Sequence, residues 1–255
     1  MLLFAEFLMA TAALVLGLVV GSFLNVCIYR IPLGITVVSG RSFCPSCKKT
    51  IAWYDLVPVL SFLVLRGRCR SCGSPISPRY PAVELLNGLL WLLCCLFHGF
   101  TPRALVLALG LSALVVAGFI DHDTGLIPDR LSVFLLLLAA ASLFLPGFAS
   151  PLSRVLGLLI PALPMLLAAK LFGGFGGGDV KLCAAFGALA GLPLSLLAAL
   201  LSSVTGAAYG LLLVKKKGAG RKTAFPFGPF LALGMGAALL FGERLVSFYL
   251  SLFSF

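Results

Sequence analysis

A chain of 255 residues that is 61% hydrophobic and only 11% charged, with a mean hydropathy of +1.14, is too apolar for a soluble globule and reads as an integral membrane protein. Its 19 basic residues outweigh 8 acidic ones to give a net charge of +11. The basic residues track alternate loops and no aromatic-basic module accompanies them, so nucleic acid is not an expected partner.

The expected fold is all-α, a polytopic bundle with the lipid bilayer as its solvent. Apolar runs at 7–27, 83–97, 104–120, 131–145, 155–172, 180–192, 194–214 and 227–241 give about eight transmembrane helices, since roughly 20 apolar residues cross a bilayer. The sixth run is the shortest, and Pro193 after it predicts a tight hairpin into the seventh. Residues 1–20 carry Glu6 and lack a basic start, which favours a retained first helix over a cleaved signal peptide. The domain reading is a first membrane helix at 1–29, a loop at 30–81, a membrane domain at 82–242 and a short tail at 243–255. With the N-terminus outside, only Arg103, Arg154 and Arg244 of the 19 basic residues face outward, as the positive-inside rule asks.

Within the first helix, Gly21, Ser22 and Asn25 offer small and amide side chains suited to close helix packing in lipid. The 30–81 loop is the one segment large enough for a soluble module, and it holds four of the eight cysteines as Cys44-Pro-Ser-Cys47 and Cys69-Arg-Ser-Cys72. Paired C-x-x-C knuckles let four thiolates converge on one zinc ion, and a cytoplasmic loop keeps thiols reduced. A shell closed by four thiolates leaves no position for water, so the expected metal is structural. Cys27, Cys94, Cys95 and Cys183 fall in apolar runs and read as small buried hydrophobes.

Glu84 lies about one turn into the second membrane helix, with Asn87 three residues on and on the same face. Together they form a possible polar site, against which stands an ordinary interfacial carboxylate paired with an arginine.

A glycine run, Gly173-Gly-Phe-Gly-Gly-Gly-Asp179-Val-Lys181, places a carboxylate between two apolar segments. An acid at the edge of hydrocarbon is costly and by default functional, and glycines before it leave room for another chain to approach its backbone. The plain alternative is an inter-helix loop whose Asp179 caps the next helix. A second acidic cluster, Asp121, Asp123 and Asp129, runs from the end of the third membrane helix to the start of the fourth, on the same expected face as Asp179. Two carboxylates held close share a proton, so one can act as acid while the other activates water. Asp129, after Pro128, reads as a helix N-cap; Asp121 lies nearest the apolar run, with Asp123 still a competitor. His122 has no second histidine to build a metal site or a triad, and a dinucleotide reading of the glycines lacks a preceding strand.

With Gly176-x-Gly178-Asp179, Lys181, the 121–129 stretch, the two C-x-x-C pairs, the segment from Arg79 to Glu84 and Pro226-Phe227-Gly228-Pro229, the chain resembles the bacterial type IV prepilin peptidases, polytopic aspartyl proteases of the inner membrane. The resemblance implies catalytic aspartates at Asp121 and Asp179, Gly176, Gly178 and Lys181 around them, and no metal at the pair. It implies cleavage of the basic leader of prepilins and type II secretion pseudopilins at the cytoplasmic face. It also implies methylation of the new N-terminus with S-adenosylmethionine, for which Glu84 and Asn87 are the candidate polar site. Two alternatives stand beside it: a peptidase that only cleaves, and a proton-coupled transporter using the two aspartates as a relay.

Overall fold

The structure is a computed structural model that describes residues 2–172, 175–217 and 225–252. Its described residues are helical apart from loops and two isolated β-bridges. They form two compact units, residues 1–104 and 105–255.

In the first unit a 29-residue helix, α1 (Leu2–Arg30), packs along α3 (Arg79–His98). Small residues make the approach possible. A Cβ on Gly17 would lie 2.6 Å from Trp91 Cβ, one on Gly21 2.7 Å from Glu84 Cα, and one on Gly88 2.8 Å from Leu18 Cδ2. Gly17 and Gly21, four apart, share one helix face, so the backbones meet where side chains would separate them. Asn87 is fully buried and its amide donates to Gly17 O at 2.7 Å, while Asn25 donates to Tyr80 O at 3.1 Å. In an apolar setting such amide bonds replace the water these groups lose.

Between the two helices sits a small module with a 3₁₀ turn at Trp53–Leu56 and a five-residue helix, α2 (Leu60–Val64). Arg30, buried at the end of α1, ties the module's entry by donating to the carbonyls of Thr36, Ser39 and Arg41 at 3.1, 2.7 and 3.3 Å.

The second unit is built around α4 (Pro102–Thr124), 78% of whose most apolar stretch is buried. Around it come α5 (Asp129–Ala141), α6 (Pro151–Leu159), α7 (Ala162–Phe172), α8 (Gly177–Ala190), α9 (Leu192–Lys217) and α10 (Gly228–Ser251). At Gly110 of α4 the neighbours are Leu135 of α5, Leu189 of α8 and Leu239 of α10, so this helix is apolar on every side because every side is covered. The α6–α8 crossing is closer still, for a Cβ on Gly157 would lie 2.7 Å from Gly187 O. Arg154, which topology alone leaves in an outer loop, is instead a buried staple. It donates to Ala149 O, Ala139 O, Ser142 Oγ and Ser142 O at 2.9, 2.9, 2.8 and 3.2 Å, joining the start of α6 to the end of α5.

Among the described residues six helical segments are long and apolar enough to cross a membrane, and the protein is a multi-pass membrane protein. The two others expected as spans, α5 and α8, have 13 and 14 residues, about 20 Å of helix and short of the roughly 30 Å hydrocarbon core. The expected fifth span is divided at Pro161, which has no N–H to continue the helix. The predicted hairpin after α8 is present: Gly191, at φ +82°, ends α8 and leads straight into α9. At the C-terminus α10 continues to Ser251, through much of the stretch set aside as a tail.

Candidate active site and metal centre

Asp121 sits one turn before the end of α4 and is 4% exposed. That end is set by Gly125, at φ +69°, whose N–H bonds Asp121 O at 2.8 Å, the left-handed cap that glycine adopts without strain. The Asp121 carboxylate accepts the N–H of Gly228 at 2.7 Å. Gly228 is the first residue of α10, so this N–H is one that the helix itself cannot satisfy, and the helix dipole favours an anion there. A Cβ on Gly228 would fall 2.6 Å from Asp121 Cβ, so only glycine fits.

Asp179 stands in the first turn of α8, 7% exposed, and reaches back to accept the N–H of Gly176 at 2.9 Å. It therefore caps its helix, but from the third helical position and with one oxygen only. Its Oδ1 is buried without a hydrogen-bond partner among the described residues, a costly state for a carboxylate oxygen unless something else is meant to meet it. Asp121 and Asp179 are near enough to interact electrostatically.

The glycines between them act through space more than through backbone freedom. Gly173 and Gly174 lie outside the described residues, and Gly176 has an ordinary extended backbone at φ −73°. A Cβ on Gly178 would lie 2.9 Å from both Cβ and O of Ile127, whereas one on Gly177 meets nothing within 4 Å. Gly178 thus lets α8 press against the α4–α5 loop, which brings the two acids to one place. On the other side the Phe227 ring packs edge-on to Phe175 at 5.3 Å and lies over Gly206 of α9, fixing the segment that delivers the Gly228 N–H.

The remaining acids are elsewhere. Asp123 is exposed and pairs with His122 at 3.1 Å. Asp129 is not the N-cap expected of it: Pro128 holds that place, and Asp129, the first helical residue, forms an exposed ion pair with Lys181 at 2.8 Å. Lys181 therefore faces Asp129 and not the buried pair. Gly228 was not singled out as a site residue from sequence, although its signal was there, a glycine framed by two prolines at a helix start.

In the first unit the sulfur atoms of Cys44, Cys47, Cys69 and Cys72 all lie within 4.8 Å of one another, and Cys44 and Cys72 are 3.9 Å apart. Tetrahedral zinc with bonds of about 2.3 Å needs sulfurs about 3.8 Å apart, so the cluster fits a metal. The two knuckles are built alike. Cys44 N–H bonds Lys49 O and Cys69 N–H bonds Ser74 O, with Lys48 and Gly73 at φ +58° and +72° in equivalent places. The N–H groups of Cys47 and Ser46, with the Ser74 and Cys69 side chains, hold the Cys44 thiol down to about 6. Cys47 is driven the other way, to about 11: the Lys49 N–H lowers it, but burial and the adjacent Cys72 and Cys44 outweigh that pull. Four thiols this close cannot all ionise alone, and a divalent cation would let them.

Glu84 and Asn87, expected to share a site, are both buried but serve different ends. Asn87 is spent on α1, while Glu84 lines a cavity of about 640 Å³ together with residues of α1 and the cysteine module. Its Oε2 accepts the Val59 N–H at 2.8 Å. Asp55, also on the cavity wall, is gripped by the Arg70 guanidinium at 2.6 and 2.8 Å, which holds its carboxyl below the usual range.

A model of the bacterial peptidase A24 N-terminal domain matches residues 15–98, and a model of the type IV leader peptidase family matches 108–211. A relative from Bacillus subtilis (strain 168) is 35% identical over 96% of this chain and 99% of its own length. One from Legionella pneumophila is 37% identical over 92% of each chain. The chain belongs to the type IV leader peptidase family. A third relative, from Burkholderia pseudomallei (strain 1026b), is 38% identical over 94% of this chain and 87% of its own, and all three are named prepilin leader peptidase/N-methyltransferase. No solved structure gives a significant match. The first match runs from within α1 to the end of α3 and includes the four cysteines, and the second carries both buried aspartates. Gly228 lies beyond the second match.

Proposed function

We propose that this protein is an aspartyl peptidase that removes the leader of prepilins and pseudopilins, with Asp121 and Asp179 as its catalytic pair, and that it then methylates the new N-terminus with S-adenosylmethionine. The observation that carries the first activity is the buried, unpartnered Oδ1 of Asp179 beside Asp121. The Gly176 and Gly228 N–H groups each engage one carboxylate, which sets both side chains in place before substrate arrives. Between them the pair holds one proton. The ionised aspartate takes a proton from water as its oxygen adds to the scissile carbonyl, and the protonated one supports the carbonyl oxygen. The proton returns to the amine as the C–N bond breaks. Acid-base help of this kind contributes about 10²- to 10⁴-fold.

The second activity rests on the relatives' names. The four cysteines hold a structural zinc ion that shapes the module. The bias of basic residues toward alternate loops supports an active site on the cytoplasmic side of the inner membrane with the N-terminus outside, where a prepilin, itself an apolar helix behind a basic leader, can enter from the bilayer. A proton-coupled transporter finds no support in the names of the relatives.

The test is mass spectrometry of a prepilin incubated with purified enzyme in detergent, without any gradient. Leader loss followed by the gain of one methyl is expected. Asp121→Asn and Asp179→Asn should each abolish leader loss, yet still methylate a substrate supplied already cleaved, because an amide can neither take nor give the shared proton. Normal cleavage by either variant would refute the pair.

A further inference from the structure

The short helix α2 of the cysteine module has two apolar faces. Ser61, Phe62 and Leu65 line the cavity inside the module, whereas Leu60, Leu63 and Val64, spaced as one helix face, are 61%, 63% and 75% exposed. Five residues are too few to hold a helix in water by propensity, and a helix that is apolar all round belongs in a core or in a membrane.

Depth decides between the two. Val59, the residue before α2, donates its N–H to Glu84 Oε2 at 2.8 Å. Glu84 is five residues inside the start of α3 and packs against Gly21, which is nine residues inside the end of α1. At 1.5 Å per residue these are about 7 and 13 Å along two helices that are both long and apolar enough to cross the bilayer. The start of α2 therefore lies at the depth of the membrane helices and not beyond their ends, at a level where α3 already exposes Leu85 and Leu86. Irregular chain at such a depth needs its backbone groups satisfied by protein. Here they are: Pro58 has no N–H, and those of Val59, Leu60, Ser61, Leu63 and Leu65 reach Glu84 Oε2 and the carbonyls of Pro58, Val57, Val59 and Ser61 at 2.6–3.1 Å.

The charge around this face is one-sided. Residues 31–83 hold seven basic side chains and one acid, Asp55, which Arg70 already pairs. Arg66 and Arg68, both exposed, follow directly after α2. Trp53, 79% exposed, stands in the 3₁₀ turn that Ser61 Oγ ties to α2 by donating to Tyr54 O at 3.1 Å. Tryptophan is the residue type that settles at the headgroup boundary, and basic side chains beside it attract anionic lipid. We propose that α2 is a membrane foot. Leu60, Leu63 and Val64 enter the adjoining leaflet by the roughly 5–10 Å typical of interfacial helices. Arg66 and Arg68 engage its anionic headgroups, and the cysteine module is thereby seated in the bilayer surface.

The test places photoreactive p-benzoylphenylalanine at one position at a time in the full-length protein, held in nanodiscs of phosphatidylcholine and phosphatidylglycerol, with adducts identified by mass spectrometry. Positions 60, 63 and 64 should give phospholipid adducts, and position 62, which faces the cavity, should not. Phosphatidylglycerol should exceed its share of the bilayer among those adducts, and Arg66→Gln with Arg68→Gln should remove the excess. In hydrogen exchange on the same nanodiscs, Leu63→Glu with Val64→Glu should speed amide exchange across residues 57–66 by about tenfold or more, since each side chain loses its burial in lipid. Zinc content and leader cleavage serve as controls for folding. Adducts at 60, 63 and 64 with a second copy of the chain or with its other unit, or no adducts there, would overturn the foot, as would equal lipid labelling at position 62 or unchanged exchange in the double glutamate variant.

Discussion

Alanine at position 178 would set a methyl carbon 2.9 Å from both Cβ and O of Ile127. Ordinary contact between such atoms needs about 3.5–4.0 Å, so α8 and the α4–α5 loop must part by roughly 0.6–1 Å. Half of this clash is with main chain, so trimming the Ile127 side chain cannot relieve it. Overpacking of this kind costs about 1–3 kcal/mol, partly offset by the higher helix propensity of alanine, worth up to about 1 kcal/mol. The larger effect is on chemistry, because residue 178 adjoins Asp179 and the Ile127 loop follows Asp121. A misplacement near 1 Å costs about 10²-fold in rate. Gly177→Ala is the matched control: its Cβ meets nothing within 4 Å, so stability should hold or rise slightly and cleavage should continue. The assay is leader cleavage by both variants at equal amounts of folded protein, with melting temperatures alongside. Gly178→Ala cleaving within twofold of wild type would refute the packing argument. Equal losses at 177 and 178 would show instead that the run serves as an open path for substrate.

Serine at Cys44, Cys47, Cys69 or Cys72 should release zinc and loosen the module, since a structural metal contributes its binding energy to folding; elemental analysis of the purified variants checks this, and substoichiometric zinc in fresh, active wild type would contradict it. Asp129→Asn should keep most cleavage activity, because it removes only an exposed ion pair with Lys181. Asp123→Asn, also at an exposed position, should be milder than Asp121→Asn in the same cleavage assay. Arg154→Met should destabilise the protein by about 2–4 kcal/mol, since it strands carbonyl groups of Ala139, Ser142 and Ala149 in the interior, while cleavage at low temperature persists; thermal unfolding in detergent measures the loss.

Composition alone decided the solvent of this protein, and hydropathy marked all six described segments long and apolar enough to cross a membrane while counting two shorter helices, α5 and α8, with them, because in lipid the backbone must satisfy itself and a helix does so from local sequence. The C-x-x-C pairs were equally legible, since each knuckle is a local turn and two such turns can bring four sulfurs together, as they do here. Proximity is not local. Pattern and spacing left Asp121 and Asp123 two residues apart as rivals, and only the family resemblance favoured Asp121; in the fold, the helix end capped by Gly125 buries the first and exposes the second. The partner of Asp121, Gly228, comes from a helix more than a hundred residues away, and no periodicity in either segment announces that hydrogen bond. Glu84 and Asn87 share a face of α3 as their spacing required, yet the tight passage of α1 gave one to packing and left the other lining a cavity. Spacing sets which way a side chain points; what it meets there depends on which other backbone can come close, and in this fold that was decided by glycines at positions 17, 21, 178 and 228.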